Sequence, residues 1–153
     1  MSGYAIRLSN STIAWKSMKQ TAVALSTTEA EYVALAETVR EIIWLRRILL
    51  KLGFPQMDPT VVKEDNQACI SWVTGDASSK RSKHIELKNH YSKDMSEKKE
   101  VTFKYCPTDK MLADILTKPL GGNKFEELRS AIGVLNAESM SGKSCETSPA
   151  MPC

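Results

Sequence analysis

Ser26–Leu52, STTEAEYVALAETVREIIWLRRILLKL, is the longest stretch with a single periodicity in the chain. At about 100° per residue, Leu35, Thr38, Val39, Ile42, Leu45 and Leu49 fall within roughly 80° of Glu31. The spacing predicts one long amphipathic helix whose apolar stripe faces a core. Glu29 points nearly the opposite way, in line with Arg40, Arg47 and Lys51, on a face read as solvated together with Arg46. Ser26-Thr27-Thr28-Glu29 fits a capping box, with Ser26 as N-cap and Glu29 reaching back to its N–H. Glu31 opens the buried stripe, where a carboxylate is costly unless it is paired or binds a cation. Two readings of Glu31 follow: a cap in a later box with Thr28, or a metal ligand.

A chain of 153 residues has room for one domain with a real core. Its hydrophobic share of 42% and charged share of 25% match a globular chain rather than a disordered one. The net charge of +3 does not by itself imply nucleic acid, so the placement of the charge matters more than its sum. No apolar run approaches the ~20 residues that span a bilayer, and no signal peptide is evident, which points to an intracellular protein without membrane contact. Cys69, Cys106, Cys145 and Cys153 form no C-x-x-C pair and read as reduced thiols.

Ahead of the helix, Tyr4–Leu8 and Thr12–Ser17 flank Ser9-Asn10-Ser11 and predict a β-hairpin. Ala22–Leu25 reads as a further extended piece. Gly53 ends the helix as a C′ glycine, with Pro55 beyond it. Thr60–Lys63 is a short strand leading into Glu64-Asp65-Asn66, and Gln67–Val73 a helix ended by Gly75. Asp65 thus lies at the carboxyl end of a strand just before a helix, the place where open α/β sheets bind ligands. Ala77–Lys83 is a small, polar, basic loop. His84–Lys99 is a polar helix, Val101–Tyr105 a strand, Lys110–Thr117 a short helix carrying Asp114, and Phe125–Ile132 a last amphipathic helix closed by Gly133. Residues 1–134 form the predicted domain and residues 135–153 a disordered tail. Trp15, Trp44 and Trp72 read as core.

Glu31, Asp65 and Asp114 therefore stand at element ends that can meet. Carboxylates sharing a site repel unless a hard cation neutralises them. Two Mg²⁺ ions about 4 Å apart clamp both oxygens of an in-line phosphodiester displacement. On spacing alone, a cap, a helix-end Asp and a surface Asp explain the same three residues.

A set of motifs in a fixed order carries further meaning: Ser2-Gly3-Tyr4, Ala14–Gln20, Ala24–Leu35, Trp44–Arg47, Glu64–Gln67, Ser82–Ile85 and Leu112–Leu120. With these motifs, Ser2–Val134 closely resembles the C-terminal ribonuclease H domain of copia-type retrotransposon polyproteins. The resemblance implies an α/β, ribonuclease H-like fold, a mixed five-stranded sheet flanked by helices. It implies Mg²⁺- or Mn²⁺-dependent hydrolysis of the RNA strand of RNA–DNA hybrids, with the reverse transcriptase domain of the same polyprotein as neighbour. Glu31, Asp65 and Asp114 match three of the family's four metal-binding acids.

The family's first acid lies on a strand shortly before the Ser-Gly-Tyr motif, and no Asp or Glu precedes Glu29 in this chain. The sequence therefore reads as a domain truncated at its N-terminus, with unpaired backbone and a gap beneath the long helix, and with little or no activity as it stands. Lys80, Arg81, Lys83 and His84 are candidate phosphate contacts, or else a solvated basic loop. His84 is also a candidate for proton transfer or product release, and His90 is read as structural. Asn66 and Gln67 are candidates for contacts to 2′-hydroxyls in the minor groove. The alternatives to an enzyme domain are a non-catalytic nucleic-acid-binding remnant and a transposon relic without function.

Overall fold

A computed structural model describes residues 1–9, 11–20, 27–75 and 83–135. The elements in order are β1 (Ser2–Leu8), β2 (Ser11–Met18), α1 (Thr27–Lys51), β3 (Thr60–Glu64), α2 (Gln67–Thr74), α3 (Lys83–Glu97) and β4 (Val101–Tyr105). Two 3₁₀ helices, Thr108–Lys110 and Leu112–Leu116, and α4 (Gly122–Ile132) complete them. The class is α/β. The expected extended piece Ala22–Leu25, the Ser26 cap, the basic residues Lys80 and Arg81, and the tail from residue 136 lie outside the described residues.

α1 is the long helix of the sequence reading, and it ends as the Gly53 signal demands. Gly53, at φ +86°, donates its N–H to the Leu50 carbonyl, while the Phe54 N–H reaches the Leu49 carbonyl. This paired closure is the Schellman arrangement, which needs a residue tolerant of positive φ at that point. The buried face is wider than the predicted stripe. Leu35, Val39 and Ile42 are buried as expected, but so are Tyr32, Ala36 and Ile43. Glu31, Ala34, Leu35, Thr38 and Ile42 look towards β1 and β3, whereas Tyr32 meets Trp72 of α2 with ring centroids 6.2 Å apart. α1 thus packs strands on one side and the helices α2 and α3 on the other. A stripe drawn for one partner misses the second.

The hairpin forms as predicted. β1 and β2 pair antiparallel, with Tyr4 opposite Lys16 and Ala5 opposite Trp15. Strand alternation sends Ser2, Tyr4 and Ile6 inward. Trp15 shares the opposite face with Ala5 and is 66% exposed, and Trp44 is 55% exposed beside the buried Ile43. Neither is core. Only Trp72 of the three tryptophans packs against the core cluster. β3 and β4 pair parallel, Thr60 to Val101 through Glu64 to Tyr105. The expected single mixed sheet is absent among the described residues: the four strands form two separate pairs, β1–β2 and β3–β4.

Three further readings change. The short helix Lys110–Thr117 is two 3₁₀ turns, hinged at Met111 in an extended conformation. α4 starts three residues early, with Gly121 as its N-cap rather than as a break. Arg46 does not merely solvate α1. Its Nε lies 2.7 Å from Glu100 Oε2, and its other nitrogens donate to the Asp58 and Gln56 carbonyls and to Thr60 Oγ1. One side chain thereby ties the end of α1 to the loop before β3 and to the turn before β4.

Arg46→Ala leaves two carbonyls and a carboxylate without their donor, and is expected to cost about 2–3 kcal/mol in urea unfolding. Glu100→Gln, which spares the carbonyl bonds, is expected to cost under about 1 kcal/mol. Equal losses for the two variants would show that the carbonyl bonds contribute nothing.

Candidate functional site

The two strand pairs face each other across a cleft of about 570 Å³. Every residue from Met1 to Arg7 and from Thr60 to Asp65 lines it. A sheet face would contribute alternate residues, so consecutive ones mean that the strands present their edges. α1 closes the inner side of the cleft, and the second 3₁₀ helix, with the residues after it, closes one end. The cleft lies beside α1, bordered by β1 and β3.

The closed end sets the directions of the strands. Gly3, at the start of β1, meets that 3₁₀ helix: a Cβ there would sit 2.8 Å from Thr117 Cγ2 and 2.9 Å from the Lys16 carbonyl. Ser17 Oγ donates to the Leu116 carbonyl at 2.6 Å. The end of β3 reaches the same place, where Asp65 Oδ2 accepts from Thr108 Oγ1 at 3.0 Å. β1 and β3 therefore run in opposite directions along the cleft.

Asn66 ties the site together. Its backbone is extended at φ −99°, ψ 106°, and its Oδ1 accepts from the N–H groups of Ala68 and Cys69, capping α2. Its Nδ2 donates to Glu31 Oε2 and lies 3.5 Å from Thr28 Oγ1. The Asn66 side chain is therefore engaged at both ends. Gln67 is exposed on the first turn of α2. Glu31 thus accepts from the residue that caps α2.

Asp114 is 8% exposed, and Lys118 Nζ lies 2.9 Å from its Oδ1. The Asp114 carbonyl accepts the N–H groups of Thr117 and Lys118, so Lys118 sits one turn on, above the carboxylate. The hydrogen bond that Lys118 donates to the Asp114 carboxylate holds its ammonium above the usual lysine range against the opposing effect of burial, with the charges of Asp114, Asp65 and Glu31 adding to the rise.

The sequence reading missed Glu64. Strand parity was its signal, since Thr60, Val62 and Glu64 share the inward side of β3. Its Oε1 accepts the Asn66 N–H at 3.2 Å. Burial pushes its carboxyl up to about 7; the Asn66 N–H opposes this, and the nearby charges of Asp65 and Glu31 add to it. Glu31, Glu64, Asp65 and Asp114, from three separate parts of the chain, thus line one end of one cleft. All their donors are carboxylate oxygens, which suit Mg²⁺ or Mn²⁺ in kind. In spacing they fall short: among the described residues no three His, Cys, Asp or Glu side chains stand close enough to hold a metal ion.

The remaining candidates are more scattered. Lys83 and His84 fall on the first turn of α3. His90 is exposed, so its structural role is not supported. Cys69 and Cys106 are buried free thiols, as the sequence reading has them.

The fold and site define an α/β protein with an open cleft walled by two strand edges and lined at one end by carboxylates. Comparison with known proteins gives this a family context. The chain is 39% identical over 132 residues to the Retrovirus-related Pol polyprotein from transposon TNT 1-94 of Nicotiana tabacum, covering 86% of this chain and 10% of that protein. It is 34% identical over 132 residues to the Retrovirus-related Pol polyprotein from transposon RE1 of Arabidopsis thaliana, covering 86% of this chain and 9% of the relative. A shorter match, 50% over 44 residues, joins 29% of the chain to 31% of the Secreted RxLR effector protein 161 of Plasmopara viticola. The homologues that match most of the chain are thus transposon Pol polyproteins, of which it spans about a tenth. No family model matches the sequence, and no solved structure matches it. Among the described residues no helix is long and apolar enough to cross a membrane.

Glu64 carries its own pH signature. Its carboxyl titrates near 4.5 in the unfolded chain and near 7 in the fold. The folded state binds the extra proton in this window, so stability falls as pH rises through it. Glu64→Gln is expected to match the parent chain at about pH 4.5 and to exceed it by about 1–3 kcal/mol at about pH 8, by urea unfolding. A constant difference between the two across that range would contradict the assignment.

Proposed function

We propose that this chain is the ribonuclease H-type portion of a retroelement Pol polyprotein. The cleft between β1 and β3 is then its site for the RNA strand of an RNA–DNA hybrid, left incomplete by the four strands described. The observation that carries this reading is the convergence of Glu31, Asp65 and Asp114 on one end of one cleft. These are the residues singled out beforehand from helix-face geometry and motif resemblance. The similarity to Pol polyproteins is consistent with it.

The same reading accounts for what the cleft lacks. β1 and β3 run oppositely, and among the described residues each pairs with one strand only. A strand laid between them would be parallel to one and antiparallel to the other, joining the two pairs into one mixed sheet of five. An acid on that strand would add the carboxylate that the three acids need to hold Mg²⁺ or Mn²⁺, which supplies charge neutralisation at a phosphodiester. Within this chain, Asn66 fixes the Glu31 carboxylate, Thr108 that of Asp65, and Lys118 that of Asp114. Lys80, Arg81, Lys83 and His84 follow α2 in the chain and are the phosphate contacts of this proposal. The reverse transcriptase domain of the same polyprotein is the natural neighbour.

The test compares the 153-residue chain with a longer one that carries the upstream strand and its Asp, on a labelled RNA–DNA hybrid with Mg²⁺. The longer chain is expected to cleave the RNA strand, and Asp65→Asn or Glu31→Gln to abolish cleavage. The shorter chain is expected to show little or none. Cleavage surviving both substitutions would refute the site, and robust cleavage by the shorter chain would refute its incompleteness.

The shortfall in acid spacing favours a second reading, a non-catalytic remnant that binds nucleic acid through its basic residues. It predicts salt-dependent binding without turnover in both chains, weakened when Lys80, Arg81 and Lys83 are neutralised.

A further inference from the structure

The long walls of the cleft are backbone. They are the edges of Ser2–Arg7 and Thr60–Asp65, and among the described residues neither strand has a partner on this side. An unpaired edge presents a row of N–H and C=O groups that another extended chain can bond. Here two rows border one cleft, so a single strand between them bonds on both sides at once. The inner wall is α1. Helix rise makes its lining part, Glu31 to Ile42, about 16 Å long, the length of a strand of about five residues. The two strand edges are of matching length. Leu35 and Ile42 are buried apolar residues of this wall, and Glu31 stands at its acidic end. A strand laid here turns every second side chain towards α1, so those side chains must be apolar except the one nearest Glu31. The walls are already held in place by bonds of this chain. Arg46 joins α1 to Thr60, and Asn66 joins Glu31 to the start of α2. A site formed in advance loses little freedom on binding, and nothing in it requires the incoming strand to belong to the same molecule.

We propose that the cleft is an acceptor groove for β-strand addition in trans: it binds, as a separate molecule, an extended segment of the surrounding polyprotein, about six residues long and apolar at alternate positions. The choice of donor rests on the ribonuclease H reading and on the chain spanning about a tenth of its Pol polyprotein relatives. The mode of binding rests on the two edges and the α1 wall alone.

The probe is a fluorescein-labelled synthetic peptide of the upstream strand carried by the longer chain. It is titrated into the 153-residue chain without metal or nucleic acid and followed by fluorescence anisotropy. Saturable binding of one peptide per chain is expected, together with slower amide exchange along β1 and β3. A peptide of the same composition with its alternation scrambled is expected to bind at least about tenfold more weakly. So is a peptide N-methylated at alternate residues, which lacks the donors for one edge. Ala34→Phe, which fills the α1 wall of the groove, is expected to weaken binding as well. No binding, or equal binding of the three peptides, would overturn the proposal. Edges protected before any peptide is added would also overturn it: protection that grows with protein concentration would assign the groove to a second copy, and protection that does not would assign it to a segment of this chain. Binding without hybrid cleavage by the complex would uphold the acceptor groove and count against the ribonuclease H reading. Cleavage by the longer chain with no binding in trans would do the reverse.

Discussion

α1 must bury two faces at once, and the rest of the structure follows from that demand. One face holds Tyr32, Val39 and Ile43 against the helices α2 and α3. The other holds Leu35 and Ile42 over the strands. A helix of 25 residues is stable here because both sides are covered, not because of its propensity alone. The strand side is covered unevenly. β1 and β3 reach α1 from either flank, and between them the helix looks into a cleft. Arg46 fixes the far end of this arrangement and Asn66 the near end, so the cleft is held open by bonds to α1 at both extremities.

That frame explains why the acids gather where they do. Glu31 comes from the first turns of α1, Glu64 and Asp65 from the end of β3, and Asp114 from the middle of a 3₁₀ helix that packs on β1, where Gly3 allows the close approach. The cluster is therefore a product of packing, and its electrostatic cost is met locally. Protonation of Glu64, the Asn66 amide and the Lys118 ammonium each remove part of the repulsion.

Much of this was legible in the residues. The hairpin, α1 with its Gly53 stop, the strand before Asp65 and the strand Val101–Tyr105 all follow from local periodicity and turn chemistry, which act over a few residues. Glu31 was separable from Glu29 because helix geometry is fixed. The failures lie where a side chain's fate depends on a distant partner. Trp15 and Trp44 sit on faces that read as apolar, yet both side chains are largely exposed. Arg46 looked like solvent by face, yet the loop before β3 folds back onto it. The cap that Asn66 provides one residue before α2 went unread. Glu64 was overlooked beside Asp65, although strand parity alone points it inward.

The free edges of β1 and β3 are the feature on which the account rests, and amide hydrogen exchange followed by NMR reads them directly. The N–H groups of Ser2–Leu8 that do not pair with β2, and those of Val61–Glu64 that do not pair with β4, are predicted to exchange orders of magnitude faster than their paired neighbours on the same strands. Uniform protection along both strands would mean that the edges are already partnered, and would contradict the open cleft.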